Sequence, residues 1–231
     1  MPRTSADPVS DPDLSPVRDA ELARLPVFPL PNVVLFPGAH LPLHLFEPRY
    51  REMIEHCVTV GPMALAVAMF EPGWEGDYEG RPSLRPIAGV GRIERRQRRP
   101  DGRWDILLRG ESRVRLHELP AEGHRFRLSR AERLPDLEAV ALEPIRTQAL
   151  MLVSTLATLA RRQEPTFELG VPLTGPPGPL ADALADRLIA DPELRQAVLE
   201  AQDVGVRFAR LQDGLADLLA RIGGSGPGEL H

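Results

Sequence analysis

RLPVFPLPNVVLFPGAHLPLHLFEPRY, from Arg24 to Tyr50, decides how the rest of the chain is read. Between Leu25 and Phe46 it carries five prolines and no acidic residue among dense Leu, Val and Phe. Proline cannot occupy a helix interior and cannot donate to a central sheet ladder, so the stretch reads as short extended pieces joined by turns. Its best strand is Leu41 to Phe46, with Leu41, Leu43 and Leu45 on one face and Pro42, His44 and Phe46 on the other. Pro42 assigns that strand to an edge or a bulge. Phe36-Pro37-Gly38 supplies the turn that feeds it.

Working outward, Pro48 stands where a helix tolerates proline, and Tyr50, Met53, Ile54, Cys57 and Val58 follow at helical spacing. Gly61-Pro62 ends this helix. MALAVAMF, Met63 to Phe70, is a continuous apolar run of strand length, suited to burial on both faces. A Gly-rich acidic loop, Glu71 to Pro82, precedes two strand-like runs, Ile87 to Arg99 and Arg103 to Arg109. Pro100-Asp101-Gly102 between them predicts a hairpin. Alternation returns around Val114 to Leu119 and Phe126 to Ser129, giving antiparallel strands with one apolar face that curl toward a half-open barrel.

From about Leu137 the period becomes helical. Ile145, Ala149, Val153, Leu156 and Ala160 share one helix face; VPLTGPPGPL, Val171 to Leu180, is a stiff connector; and Asp191-Pro192-Glu193 is a cap followed by a first turn. In the last helix Val204, Phe208, Leu211, Leu215, Leu218 and Ile222 form a single packing seam.

These residues carry a family resemblance. Phe28-Pro29-Leu30, Leu35-Phe36-Pro37-Gly38, Leu41-Pro42-Leu43 and Glu47-Pro48-Arg49-Tyr50 fall at offsets that resemble the amino-terminal, substrate-binding domain of Lon proteases, and more closely small bacterial proteins made of that domain alone. The helical run from Leu180 to Ile222 is similar to the end of the same domain, so the resemblance covers about Arg24 to Ile222. It implies an α+β protein: a PUA-like β pseudo-barrel of about six strands plus one short helix over residues 23–136, then a four-helix bundle over 137–223. Residues 1–22 and 224–231, rich in Pro, Ser, Asp and Gly, read as tails. The implied function is non-catalytic binding of unfolded or exposed protein segments, in partnership with a separate ATP-dependent protease, by a monomer or weak homodimer.

Composition narrows the chemistry. All 28 basic residues are arginine, which excludes a Walker A lysine, a Schiff base and a Ser-Lys dyad. One cysteine, Cys57, allows neither an internal disulfide nor a Cys-based zinc site. His40 and His44, four apart on extended chain, stand about 13 Å from each other, too far to share an ion. No metal, cofactor or catalytic group is expected. The amino terminus lacks the apolar core of a signal peptide and no segment holds the roughly 18 apolar residues of a membrane span, so a cytoplasmic location is expected. Gly89-Val90-Gly91 reads as strand glycine at a bulge or bend, and Gly110-Glu111-Ser112-Arg113-Val114 as a connection between strands.

Two sets of residues are candidate contacts. Trp74 and Tyr78 lie in a loop whose other residues cannot bury them, so they either fold back as a lid or meet a ligand, with Leu35 and Phe36 on the same rim. Arg92, Arg95, Arg96, Arg98, Arg99 and Arg103 crowd the hairpin, which is expected to project beyond the core and to grip an acidic protein segment. Phosphate of RNA is the alternative partner for that ribbon.

Overall fold

The computed structural model describes residues 10–78, 80–138 and 141–224; parts of both expected tails, 1–9 and 225–231, lie outside them. The chain divides into two compact units between Leu134 and Pro135.

The first unit holds strands β1 (Leu25–Pro29), β2 (His40–Leu45), β3 (Ala64–Ala68), β4 (Ile87–Arg98), β5 (Trp104–Leu119) and β6 (Arg127–Leu134), with helix α1 (Pro48–Thr59) after β2. They form one sheet in the order β2-β5-β4-β3-β1-β6, and a further β5–β6 pairing closes it into a barrel. Only β1 and β3 run parallel. β2 lies beside Trp104–Arg109 of β5, and β6 takes over alongside β5 from Arg113. Gly110 N–H donates to Ala39 O at 2.8 Å. Continuing that phase turns the N–H groups of Leu41, Leu43 and Leu45 toward β5, so the donor Pro42 lacks would have faced the free edge.

β3 shows why its run is apolar throughout. Ala64, Ala66 and Ala68 pack into a cluster with Val27, Val90 and Val114, while Leu65 and Val67 pack on the other side with Phe28, Ile54 and Leu108. Tyr50, Met53, Ile54 and Cys57 of α1 are buried in this second cluster, at the spacing read from the sequence. Burial pushes the Cys57 thiol up to about 12, which keeps it protonated and unreactive at neutral pH.

Three expectations need correction. Gly110-Glu111-Ser112 does not connect strands, because β5 runs through it. A register shift there sets Val90 against Ser112 and Gly91 against Gly110, leaving Glu111 as the extra residue of a bulge; a second shift does the same for Glu94 on β4. Both bulged carboxylates serve Arg109, Glu111 at 3.0 Å and Glu94 at 3.5 Å. Residues 10–22 are not a loose tail. Ser10 N–H donates to Arg96 O and Asp13 N–H to Glu94 O, continuing the sheet along β4, and Val17 and Leu22 are buried. Nor does the Arg-rich ribbon project freely, since β2 flanks its β5 side and this amino-terminal segment its β4 side.

The amino-terminal segment is locked by Glu21, whose carboxylate takes both Arg92 Nη atoms at 2.9 Å. Burial opposes ionisation of Glu21, but hydrogen bonds from Arg92 and Arg18 hold its pKa at about 2. A folded-state pKa below the ordinary value of 4.5 adds stability that is present above pH 4.5 and is lost as pH falls toward 2. The contribution at neutral pH is on the order of 3 kcal/mol. Urea midpoints measured from pH 6 to pH 2.5 are expected to fall more steeply for the parent than for Glu21→Gln; parallel slopes would remove the assignment.

The described residues of the second unit form four helices: α2 (Leu142–Gln163), α3 (Pro177–Leu188), α4 (Pro192–Glu200) and α5 (Val204–Gly224). α5 packs on each of the other three, burying Val204, Phe208, Leu211 and Leu215 of its seam. Asp191 caps α4 by accepting from Glu193 N–H. Arg195 donates to the carbonyls of Ala185, Asp186 and Ile189, closing the carboxyl end of α3.

Candidate functional site

The turn after β3 brings Trp74 and Tyr78 back over buried Phe70. A short 3-10 helix, Trp74–Asp77, sets the two rings 5.8 Å apart, with Trp74 stacked on Phe70 at 5.2 Å and Tyr78 edge-on to it at 6.1 Å. Both are half-buried. Tyr78 Oη donates to Glu47 Oε1 at 3.0 Å, and burial together with that carboxylate raises the phenol's pKa.

Arg49, in the first turn of α1, ties this lid to the barrel. Its guanidinium lies 4.8 Å from the Tyr50 ring centre and 4.9 Å from that of Tyr78, while Nε donates to Glu47 Oε2. Beside it opens a cleft of about 40 Å3 lined by Pro29, Tyr50, Gly80 and Phe126 and by four arginines, Arg49, Arg81, Arg125 and Arg127. A broader depression of about 370 Å3 lies between residues 18–24 and the end of α1. Its arginines are already engaged, Arg18 with Glu21 and Arg24 with Glu122. Among the described residues no three His, Cys, Asp or Glu side chains gather to hold a metal ion, and no helix is long and apolar enough to cross a membrane.

Leu35 and Phe36 do not share the rim with Trp74 and Tyr78. They are 1% and 0% exposed, packed inside the first unit, and a side chain so placed offers nothing to a client. Arg92 leaves the hairpin set for the same reason: it is 3% exposed and bound by Glu21 and by the carbonyls of Ser15 and Pro16. Arg95, Arg98, Arg99 and Arg103 are exposed and Arg96 half-buried. Three of these have carboxylates beside them: Arg98 with Glu55 at 3.6 Å, Arg99 Nε with Asp105 at 2.6 Å and Arg103 with Asp101 at 3.2 Å. The ribbon is therefore less basic than its arginine count suggests.

Sequence reasoning missed the arginine cleft. Arg49 reads as helix surface, and Arg81, Arg125 and Arg127 lie far from it along the chain, in loops and at the start of β6. No local signal marked Arg127 either: its alternation with apolar Phe126 and Leu128 reads as a solvent-facing strand position.

Comparison with known proteins matches this architecture. Residues 24–217 match the model of the ATP-dependent protease La (LON) substrate-binding domain. The Lon protease of Roseiflexus castenholzii is 28% identical over 188 residues, covering 81% of this chain and 23% of that protein. The Lon protease of Escherichia coli K12 is 26% identical over 194 residues, covering 83% and 24% respectively, so the chain spans about a quarter of the length of these relatives. Among solved structures, the N-terminal domain of Mycobacterium avium complex Lon protease superposes with a TM-score of 0.65 at 18% identity, over 84% of this chain and 98% of that one. A Lon N-terminal domain protein from Xanthomonas campestris gives 0.56 at 23% identity, over 85% and 97%. With the matched region running from β1 deep into α5, the chain belongs to the Lon substrate-binding domain family.

Proposed function

We propose that this chain is a non-catalytic module that binds exposed or unstructured segments of other proteins, in the service of an ATP-dependent protease. The match of residues 24–217 to a substrate-binding domain carries the reading. Trp74 and Tyr78 support a location for it: two half-exposed rings held on a rigid base by Phe70, Arg49 and Glu47, with arginines at the rim. Such rings add contact area at low entropic cost, because their conformations are fixed before a client arrives. Apolar client side chains would lie on the rings while neighbouring acidic ones meet Arg49 or Arg81.

A reduced, alkylated protein that stays unfolded is a suitable client. The chain is expected to bind it in preference to the native form of the same protein. Trp74→Ala with Tyr78→Ala is expected to weaken that binding about tenfold or more with an unchanged circular dichroism spectrum. Unchanged affinity would remove the aromatic patch from the function; equal affinity for native and unfolded forms would remove the reading itself. RNA binding that falls with salt and is lost on changing Arg95, Arg98 and Arg103 would transfer it to the hairpin.

A further inference from the structure

The geometry points to the cleft between α1 and the start of β6 as a receptor for a carboxylate of the bound polypeptide, held by Arg49, Arg81, Arg125 and Arg127 beside Tyr50 and Phe126. The inference rests on the client-binding reading and gives it a chemical preference.

Among the described residues, no acidic side chain lines the cleft. The carboxylates that balance its arginines stand behind the lining and are shared thinly. Glu118 serves both Arg81, at 2.9 Å, and Arg127, at 3.6 Å; Glu52 lies 3.9 Å from Arg125 but only 3.2 Å from His124; Glu47 serves Arg49. Among the described residues these four cations meet three acids, two of them divided between partners.

Arg127 is the most confined of the four, with 8% of its side chain exposed. Its Nη2 donates to Pro82 O at 2.7 Å. Burial lowers its pKa, with Arg81 and Arg49 adding to the effect against Glu118, which marks a cation short of negative charge. Arg49 Nη2 is also buried and is paired with Glu47 Oε2 at 2.9 Å, in a geometry poorly aligned for a hydrogen bond. Donors left this way gain most from an incoming acceptor.

Size and shape select the acceptor. The volume of about 40 Å3 holds about three waters or one carboxylate group, and guanidinium forks match the two in-plane oxygens of a carboxylate. Tyr50 and Phe126, 3% and 2% exposed, close the floor of the cleft, so the arginines supply its contact surface. Arg49 lies against the rings of both Tyr50 and Tyr78, so a chain with its carboxylate in the cleft lies within reach of the aromatic patch. A client can supply the group as its C-terminus or as an Asp or Glu side chain.

Three unstructured fluorescent peptides of one apolar sequence separate these sources: one with a free C-terminus, one amidated, and one amidated with a single internal Glu. Anisotropy titration against the full chain is expected to show one or both carboxylate peptides binding about tenfold tighter than the neutral one. The advantage should vanish in Arg81→Gln with Arg125→Gln, two exposed positions whose substitution leaves the buried Arg127 contacts in place. Equal affinity for all three peptides, with the Trp74 and Tyr78 substitutions still weakening each, would overturn the cleft and leave client binding standing. A preference for a phosphoserine peptide over both carboxylate peptides would also overturn it. Absence of binding to any of the peptides would overturn both readings.

Discussion

Replacing Arg207 by alanine is expected to destabilise the helical unit by about 3–5 kcal/mol. Arg207 lies on α5 with a fully buried side chain. Its Nε donates to Ala201 O at 2.7 Å, Nη2 meets Asp136 and Gln202 O, and Nη1 stands 3.6 Å from Asp182, itself only 1% exposed. One guanidinium therefore binds the α4–α5 joint, the start of the unit and the middle of α3. Gly178 leaves room for it: a Cβ there would come 3.2 Å from Asp136 Cγ and closer still to its carboxylate oxygen. Truncation strips the cation from buried Asp182 and from two carbonyls at once, which costs more than the pair is worth in net stability. Arg207→Met combined with Asp182→Leu removes both charges and is expected to recover much of the loss. Urea unfolding followed at 222 nm reads both effects. A single substitution costing under about 1 kcal/mol would mean that water reaches the network in solution.

The helical periods were plain in the sequence, and Arg207 was not. It falls three residues after Val204 and four before Leu211, on the seam itself, but a long arginine chain ordinarily reaches solvent from such a position. What prevents this is a pair of aspartates distant in sequence, which no local pattern announces. The barrel shows the same division. The apolar run of β3, the Pro100-Asp101-Gly102 hairpin and the edge position of Pro42 follow from local chemistry and could be read directly. The bulges at Glu94 and Glu111 depend on pairing between strands, and so does the docking of residues 10–24 across them.

The candidate site was legible by halves. Trp74 and Tyr78 stood out as aromatics in a polar loop, and the lid half of that reading is the one the packing on Phe70 displays. They fold back on Phe70 and are half-buried there. For the arginines, density along the sequence is not density in space. Six crowd the hairpin, where acids interleave with them and Glu21 takes Arg92 inside. The four that share a cleft with no acidic lining among the described residues come from three separate segments.

Gly89→Ala and Gly110→Ala are expected to be the most damaging single substitutions in the barrel, each costing about 4 kcal/mol or more. Leu35 and Phe36 were expected on a surface rim because LFPG looks like an exposed turn; these two glycines explain why they are inside. A Cβ on Gly89 would lie 2.9 Å from the Leu35 carbonyl carbon, and one on Gly110 would lie 3.0 Å from that of Phe36, with the carbonyl oxygens nearer still. The proline-rich segment thus passes directly against β4 and β5, its backbone where side chains would otherwise stand. Neither clash can be relieved by a rotamer change, since the obstructing atoms are main chain. Yielding would withdraw Leu35 and Phe36 from the core, adding the cost of two buried side chains. Gly123 is the control: its φ of 88° makes alanine strained, but nothing stands within 4 Å, so Gly123→Ala should cost only about 1 kcal/mol. The melting temperature is expected to fall by about 10 °C or more for either barrel glycine and by only a few degrees for Gly123. If Gly89→Ala and Gly123→Ala melt alike, the close passage of Leu35 over β4 is not what excludes a side chain there. A matching fall confined to the two barrel glycines would make that passage the contact that fixes β2 on β5, and with β2 the start of α1 that carries Arg49.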